Sequence, residues 1–545
     1  MKYADIINEP TPQSEALDER QVANNAGGFV FALDLWARLD RFLILGSDSA
    51  TYYQEARVLT LENAKVVRAA YSADAKRTVG RIVEISDSGR APKNDPAIFA
   101  LALGAASPDE ATRQLALASL SKVCRTSTHL FQFVKASRAL GKGFGRAFKR
   151  AIADWYTKKS LDSVAYQAIK YRQREGYTHK RLLDMSHAPA AADPPRQNLY
   201  RWMKGLPSEE SSLPALVKGH ILAMGVSAPE VMRATFPTLV KELNVPWEAL
   251  PTEANAIPEV WSAMVPQMGL TALIRNLGNM TRIGAISPLS KTESDVVLRL
   301  GDEAEIRRSR VHPFTILQAR AVYRQGRGMR GTGTWTPSGP VLDALDKAFY
   351  SAFSNVAPTG KRFLLALDVS GSMASPFSGS FLSCREAAAA LALVTMATET
   401  STFVVGFTSA GHSQQSYGGR WGGSGTELTP LKISPRAGLA AAIQATAGLP
   451  FGGTDCALPM IFAKEKNLQV DAFVVLTDNE TWAGAVHPME ALRAYRKSSG
   501  IHSKLIVVGM TATGFSIADP EDGGALDVVG MDSSVPAIIS DFVRG

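Results

Sequence analysis

Apolar and polar positions divide the chain into two textures. From Gln21 to about Ser354 the apolar residues recur at helical spacing, and Phe31, Leu35, Leu39 and Phe42 form one stripe of NNAGGFVFALDLWARLDRFLILG. PDEATRQLALASLSKVCR and STHLFQFVKASRAL read as two short helices broken at Thr126 and Ser127, with Asp109 or Ser107 placed to cap the first. LTALIRNLGNMTRIG and SGPVLDALDKAFYSAF continue the pattern. Alternating β-branched runs are nearly absent, so this half predicts a stacked-helix solenoid. After PTGKR (358–362) the period changes. The compact runs FLLALD, TFVVGF, AFVVLTD and KLIVVGM alternate with helical stretches such as CREAAAALALVTMATET and HPMEALRAYRKSSG. That alternation predicts an open α/β domain, a parallel sheet covered by helices on both faces. The boundary falls near Thr359–Gly360.

Composition narrows the class without changing this picture. Among 545 residues, 46% are hydrophobic and 20% charged, as in a soluble globular chain with a sizeable core. Cys124, Cys384 and Cys456 are scattered, with no CxxC pair, which argues against a disulfide framework or a thiolate zinc site. The opening MKYADIINEPTPQSEALDER is acidic and proline-bearing, unlike a signal peptide, and no apolar run is long enough to span a membrane. The expected location is the reducing cytoplasm.

Net charge is +8, but its distribution matters more than its sum. Between Ser121 and Arg181 there are fifteen Lys and Arg against three acids, a local +12, so the remainder of the chain carries −4. A clustered excess of this kind is the footprint of a polyanion-binding face. The stretch KYRQREGYTHKRLLDMSH contributes Lys170, Arg172, Arg174, His179, Lys180 and His187. GKGFGRAFKRAIADWY adds Lys142, Arg146, Lys149 and Arg150, with Phe144 and Phe148 interleaved. Each has a plainer alternative: a helix-end cap for His187, packing for His179, and core positions for the two phenylalanines at helical spacing.

A second chemistry sits at the strand ends of the α/β half. FLLALDVSGSM ends an apolar strand on Asp368, followed by Ser370 and Ser372. Thr454 follows the glycine pair of PFGGTD, and Asp478 terminates VVLTD. Ligands of open α/β sheets bind at the carboxyl ends of strands. Two carboxylates and three hydroxyls form an all-oxygen set suited to a hard divalent cation, Mg²⁺ first and Mn²⁺ as the alternative. D-x-S-x-S alone is a common string, and turn or cap roles would explain Ser370 equally well. The agreement of three loops gives the pattern its weight. It resembles the metal-ion-dependent adhesion site of von Willebrand factor A domains at all five positions. Neither a phosphate-binding loop nor a nucleophile motif is present, and nothing in the chain points to catalysis.

Together QVANNAGGFVFALDLWARLDRFLILGS, KYRQREGYTHKRLLDMSH, GLTALIRNLGNMTRIG, PTGKRFLLALDVSGSM, GGTDCALPMIFA, LTDNETWAGAVHPMEALRAYRK and GFSIADPEDGGALDVVG resemble the Ro autoantigen family. The resemblance implies a TROVE domain over residues 17–358 and a von Willebrand factor A domain over 359–545. The implied fold is an α-helical HEAT-like repeat ring closed by an α/β Rossmann-like domain. It implies a non-enzymatic, monomeric RNA-binding ring. Such a protein would hold Y RNA on its outer surface and take single-stranded ends of misfolded or structured noncoding RNAs in a basic central hole. It would pass RNA to the 3′ exoribonuclease polynucleotide phosphorylase and serve RNA quality control and stress survival. By this resemblance Lys170, Arg174 and His187 are the foremost Y RNA contacts. The rival readings are a cation-dependent protein-adhesion scaffold and a metal-dependent hydrolase. From Ala188 to about Val260 the chain is Pro- and Ala-rich and carries no motif of the family, and the segment after Gly514 reads as a final loop and helix.

Overall fold

The computed structural model describes residues 22–23, 29–30, 35–46, 51–53, 65–88, 91, 93–141, 143–190, 192–243, 245–329, 332–369, 371–376, 380–409, 426–447, 456–477, 486–510, 519, 522–529, 531 and 535–544. From Leu35–Leu45 to Gly339–Ser351 the described chain is almost entirely helical. Short polar side chains set the helix starts. Asp109, not Ser107, is the cap of Glu110–Ala118, accepting the Thr112 N–H at 2.7 Å, while Ser107 Oγ accepts the N–H of Asp109 at 3.1 Å. The helix Asp95–Ala105 is apolar nearly all round and is accordingly buried along most of its length, packed against Ser127–Ala139.

The Pro- and Ala-rich stretch is helical too. Asp193 caps Pro194–Lys204 with proline in its first turn, and Gly205 ends it at φ +71°. Ala215–Met224 and Pro229–Leu243 follow. Proline and glycine here punctuate helices and do not make a long loop.

Among the described residues, seven strands form the second half's sheet: β1 (Thr51–Tyr53), β2 (Arg362–Asp368), β3 (Ser401–Ser409), β4 (Thr426–Pro430), β5 (Ala472–Thr477), β6 (Lys504–Gly509) and β7 (Ala525–Val529). Their spatial order is β1-β7-β6-β5-β2-β3-β4, parallel throughout except where β4 runs antiparallel to β3. The four expected strands are β2, β3, β5 and β6. The extra ones are edge and near-edge strands of three or five residues. β7 lies within the segment expected to hold only a loop and helix. β1 comes from the helical half and pairs Thr51–Tyr53 with Asp527–Val529. The helical array therefore closes on itself through the sheet.

The inner strands are buried on both faces, as a parallel sheet between helical layers requires. On one side lies the helix Cys384–Thr398, opened by a capping box between Ser383 and Glu386. Its alanine run is buried on all sides, because the helix lies between β2 and β3 and the last turn of the helical half, Ala352–Asn355. Glu399, at the end of this helix, accepts the backbone N–H groups of Thr359 at 2.7 Å and Gly360 at 3.0 Å. The linker between halves is thereby fastened to the α/β domain. Cys124, Cys384 and Cys456 are all buried, and none is in a disulfide among the described residues. No helix among the described residues is long and apolar enough to cross a membrane.

Candidate nucleic-acid interface and cation site

The basic segment folds into five consecutive pieces: α1 (Ser127–Ala139), α2 (Arg146–Thr157), α3 (Leu161–Lys170), a two-stranded ribbon (Gln173–Arg174 with Tyr177–Thr178) and α4 (His179–Ser186). The ribbon turns on Glu175 (φ 56°) and Gly176 (φ 77°). Two left-handed residues in succession match the twist of a tight hairpin, and glycine supplies only one of them without strain. Glu175 forms an ion pair with Lys135 of α1, which offsets the strain and holds the ribbon against that helix. Arg174 is thereby displayed in solvent. Arg181 lies over the Tyr177 ring at 4.7 Å and supports the ribbon's second strand.

Thr178 caps α4, accepting the Arg181 N–H at 3.2 Å. Lys180 is exposed on its first turn, and exposed His187 closes it in the left-handed conformation at φ 50°. On α2, Phe148, Ile152, Trp155 and Tyr156 face the core, which leaves Arg146 and Arg150 outward and Lys149 half-buried at the margin. α2 packs against α4, so the helices that carry these cations are neighbours. Lys142 lies outside the described residues. Phe148 is core, stacked on Phe133 at 5.6 Å, and half-buried Phe144 packs on Phe148 at 5.4 Å.

Two candidates change meaning. His179 is a core residue at 4% exposure, so the burial takes it off the RNA face. Its Nδ1 lies 2.9 Å from the Tyr156 hydroxyl and its ring meets Phe131 edge-on, while burial lowers its pKa to about 4. It ties α4 to α1 and α2. Lys170 is engaged: its Nζ lies 3.2 Å from Glu248 and 3.0 Å from the Tyr166 hydroxyl. Arg172 is anchored as well, its Nη2 donating to His220 Nε2 at 2.7 Å. An arginine has no acceptor, so His220 carries its proton on Nδ1 and donates it to Ala249 O at 2.5 Å. Burial, helped by the Arg172 charge, lowers the pKa of His220 and keeps it neutral. Lys170, Arg172 and Arg174 line a cavity of about 560 Å³ shared with Glu248 and Glu253. Elsewhere Arg196 holds the carbonyls of Tyr156 and Lys159, and Lys204 pairs with Asp184.

A second basic cluster went unread in the sequence. Arg307, Arg308 and Arg310 are exposed on the helix Glu303–Ser309 and its cap, with no carboxylate within 4 Å among the described residues. The signal was the string RRSR, masked by the acids Asp302, Glu303 and Glu305 just before it.

In the α/β half, Asp368 ends β2 buried at 2% exposure and accepts the Thr477 hydroxyl, from the end of β5, at 2.8 Å. Adjacent parallel strands thus bring Asp368 beside Thr477, the residue that immediately precedes Asp478 in the sequence. Ser370, Thr454 and Asp478 lie outside the described residues, and of Ser372 only the backbone, in the turn Gly371–Ala374, is described. A buried carboxylate with a hydroxyl beside it fits the hard-cation chemistry of the set. His487 is a helix cap, its Nδ1 accepting the Met489 N–H at 3.1 Å.

A helical half closed by a parallel α/β sheet, with a basic face on the helices and an oxygen-rich strand end, defines a TROVE–vWA protein. Family profiles agree: the TROVE domain matches residues 22–208 and 242–322, and the Ro60 vWA domain matches 362–543. The chain belongs to the Ro60 family. It is 42% identical to the RNA-binding protein RO60 of Deinococcus radiodurans, covering 98% of this chain and 97% of that one. It is 36% identical to the RNA-binding protein RO60 of Caenorhabditis elegans, covering 98% and 91%. The crystal structure of the Deinococcus radiodurans RO (RSR) protein superposes with a TM-score of 0.84 at 40% identity, over 94% of this chain and all of that one. The unmatched 209–241 falls inside the stretch that carried no family motif.

Proposed function

We infer that this protein is an RNA-binding scaffold of the Ro type and not an enzyme. The observation that carries the reading is the exposure of Arg146, Arg150, Arg174 and Lys180 on α2, the ribbon and α4, neighbouring elements of one densely basic segment. Long flexible cations on a rigid helical frame suit the phosphate backbone of structured RNA. The relatives named as RNA-binding proteins support the same class. In the finer reading, this face holds Y RNA, with His187 at its edge. Single-stranded ends of misfolded or structured noncoding RNA enter the central opening of the monomeric ring. Polynucleotide phosphorylase receives the RNA, in cytoplasmic quality control and stress survival. Asp368, Ser370, Ser372, Thr454 and Asp478 would hold Mg²⁺ or Mn²⁺ and, with it, one oxygen ligand of a partner.

The test is a gel shift with a structured RNA bearing a single-stranded tail, repeated across salt concentrations. Arg174→Ala with Lys180→Ala is expected to weaken binding and lower the log–log salt slope by about 1.4–1.8, two phosphate contacts' worth. An unchanged slope would falsify the surface assignment.

A further inference from the structure

Beside the basic face lies a cavity of about 860 Å³ whose lining includes Tyr166, Lys170, Trp247, Glu248, Gln267 and Ser309. We propose that it takes an unstacked nucleobase of the RNA held on that face. This rests on the RNA reading above and extends it to residues outside the basic segment.

The walls have the right chemistry. Tyr166 stands 37% exposed on the outer side of α3, and half-buried Trp247 faces the same cavity from the turn Trp247–Ala249. Aromatic faces of this kind stack bases of any identity. Gln267 donates its amide N–H to Val240 O at 3.1 Å, which leaves its carbonyl oxygen to accept from a base edge. Helix Leu270–Arg282 opens on the same cavity with Gly269 at its cap, which supplies no side-chain acceptor to its first turn. The volume lies in the range of about 300–1,000 Å³ common to small-ligand sites, room for a base and its sugar.

Charge outside the cavity bears on the occupant. The lining itself carries Lys170 with the acids Asp162 and Glu248, so it favours a neutral group over a phosphate. Arg172 and Arg174 line the adjoining cavity that shares Lys170 and Glu248, and exposed Arg308 and Arg310 flank the lining residue Ser309 in the sequence. An RNA whose phosphates engage those cations has its bases as the apolar groups available to turn inward, whereas a peptide has no repeated negative charge to offer them. The Lys170–Glu248 pair also borders the 560 Å³ cavity of Arg172 and Arg174, so it stands between the two spaces.

The experiment uses the full chain and an RNA hairpin with a single-stranded tail, each tail nucleotide replaced in turn by an abasic one. With the native protein, one or two positions are expected to lose about tenfold in affinity when abasic, the scale of one stacked base. In Tyr166→Leu the intact RNA should lose the same factor and the abasic penalty at those positions should vanish. Trp247→Leu and Gln267→Ala repeat the cycle should the first variant fold poorly. Salt-dependent binding without position-specific penalties, or penalties unchanged in all three variants, would overturn the pocket and leave the RNA reading intact. Absence of salt-dependent RNA binding by the native protein would overturn both.

Discussion

Lys170 Nζ and a carboxylate oxygen of Glu248 lie 3.2 Å apart, with both side chains largely withdrawn from solvent. Burial works against the ammonium, but the Tyr166 hydroxyl and the Glu248 carboxylate outweigh it and raise its pKa. The cation is therefore held charged and already partnered. An RNA phosphate reaching Lys170 competes with Glu248, and the exchange returns less than a contact to a free lysine.

Removing the competitor should expose that cost. Glu248→Gln is expected to tighten RNA binding about threefold to tenfold and to steepen the log–log salt slope by about 0.7–0.9, one additional phosphate contact. Filter binding across salt concentrations measures both. A slope equal to that of the native protein would mean that Lys170 serves the fold alone.

The same pair shows how far the residues alone could be read. The outward cations Arg174 and Lys180 were legible because they lie in one dense basic run. Glu248 was not, since it comes from a motif-free stretch that folding brings against the end of α3. His179 has the same polar character as its neighbours in THKR, and only its contacts with Phe131 and Tyr156 place it inside. Strands β2, β5 and β6 announced themselves as apolar runs. β1 is three residues pairing with β7, too short to leave a period, and its partnership crosses nearly the whole chain. In the α/β half, Asp368 and Thr477 meet because β2 and β5 are neighbours, an adjacency the alternation of strands and helices leaves open.

Buried neutral histidines make stability depend on acidity. Burial holds His179 down to about 4, and His312 and His487 likewise. In the unfolded chain each titrates near about 6.5, so below that pH the unfolded state binds more protons. Their contribution is complete above pH about 6.5 and is lost as pH falls toward about 4, on the order of 3 kcal/mol for each. Urea unfolding between pH about 7.5 and 4.5 should show this decline. His179→Phe should remove about a third of it, His312 and His487 keeping the rest, while leaving the Tyr156 hydroxyl unpartnered at a cost of about 1–3 kcal/mol at neutral pH. A variant with the native pH dependence would remove His179 from the account.

Glu399 holds the seam between the two halves. Its buried carboxylate takes two backbone N–H groups of the linker, one from Gly360 at φ +70°. Glu399→Ala leaves both donors unmet and should cost about 1.5–3 kcal/mol locally. Exposed Lys361 then becomes a favoured tryptic site, and limited proteolysis should release the halves as two fragments faster than in the native protein. Glu399→Gln, which keeps one acceptor oxygen, should fall between. Equal cleavage rates in all three proteins would show the linker to be held by other contacts, such as Arg362 on Asp471.

The proposed cation reading is tested by stability, independently of RNA. A site that binds Mg²⁺ only when folded should raise the unfolding midpoint with Mg²⁺ concentration, by about 1.4 kcal/mol at ten times the dissociation constant. Asp368→Ala should abolish the increase. Thr477→Val should retain the carboxylate but remove the hydroxyl that orients it at 2.8 Å, and weaken the ion about tenfold. RNA affinity should stay at the native value in both variants, because the basic face lies on α2, the ribbon and α4, far along the chain from β2 and β5. Stabilisation by Mg²⁺ that survives Asp368→Ala would place the ion elsewhere, and loss of RNA binding in a folded Asp368→Ala protein would join two sites that the structure keeps on different domains.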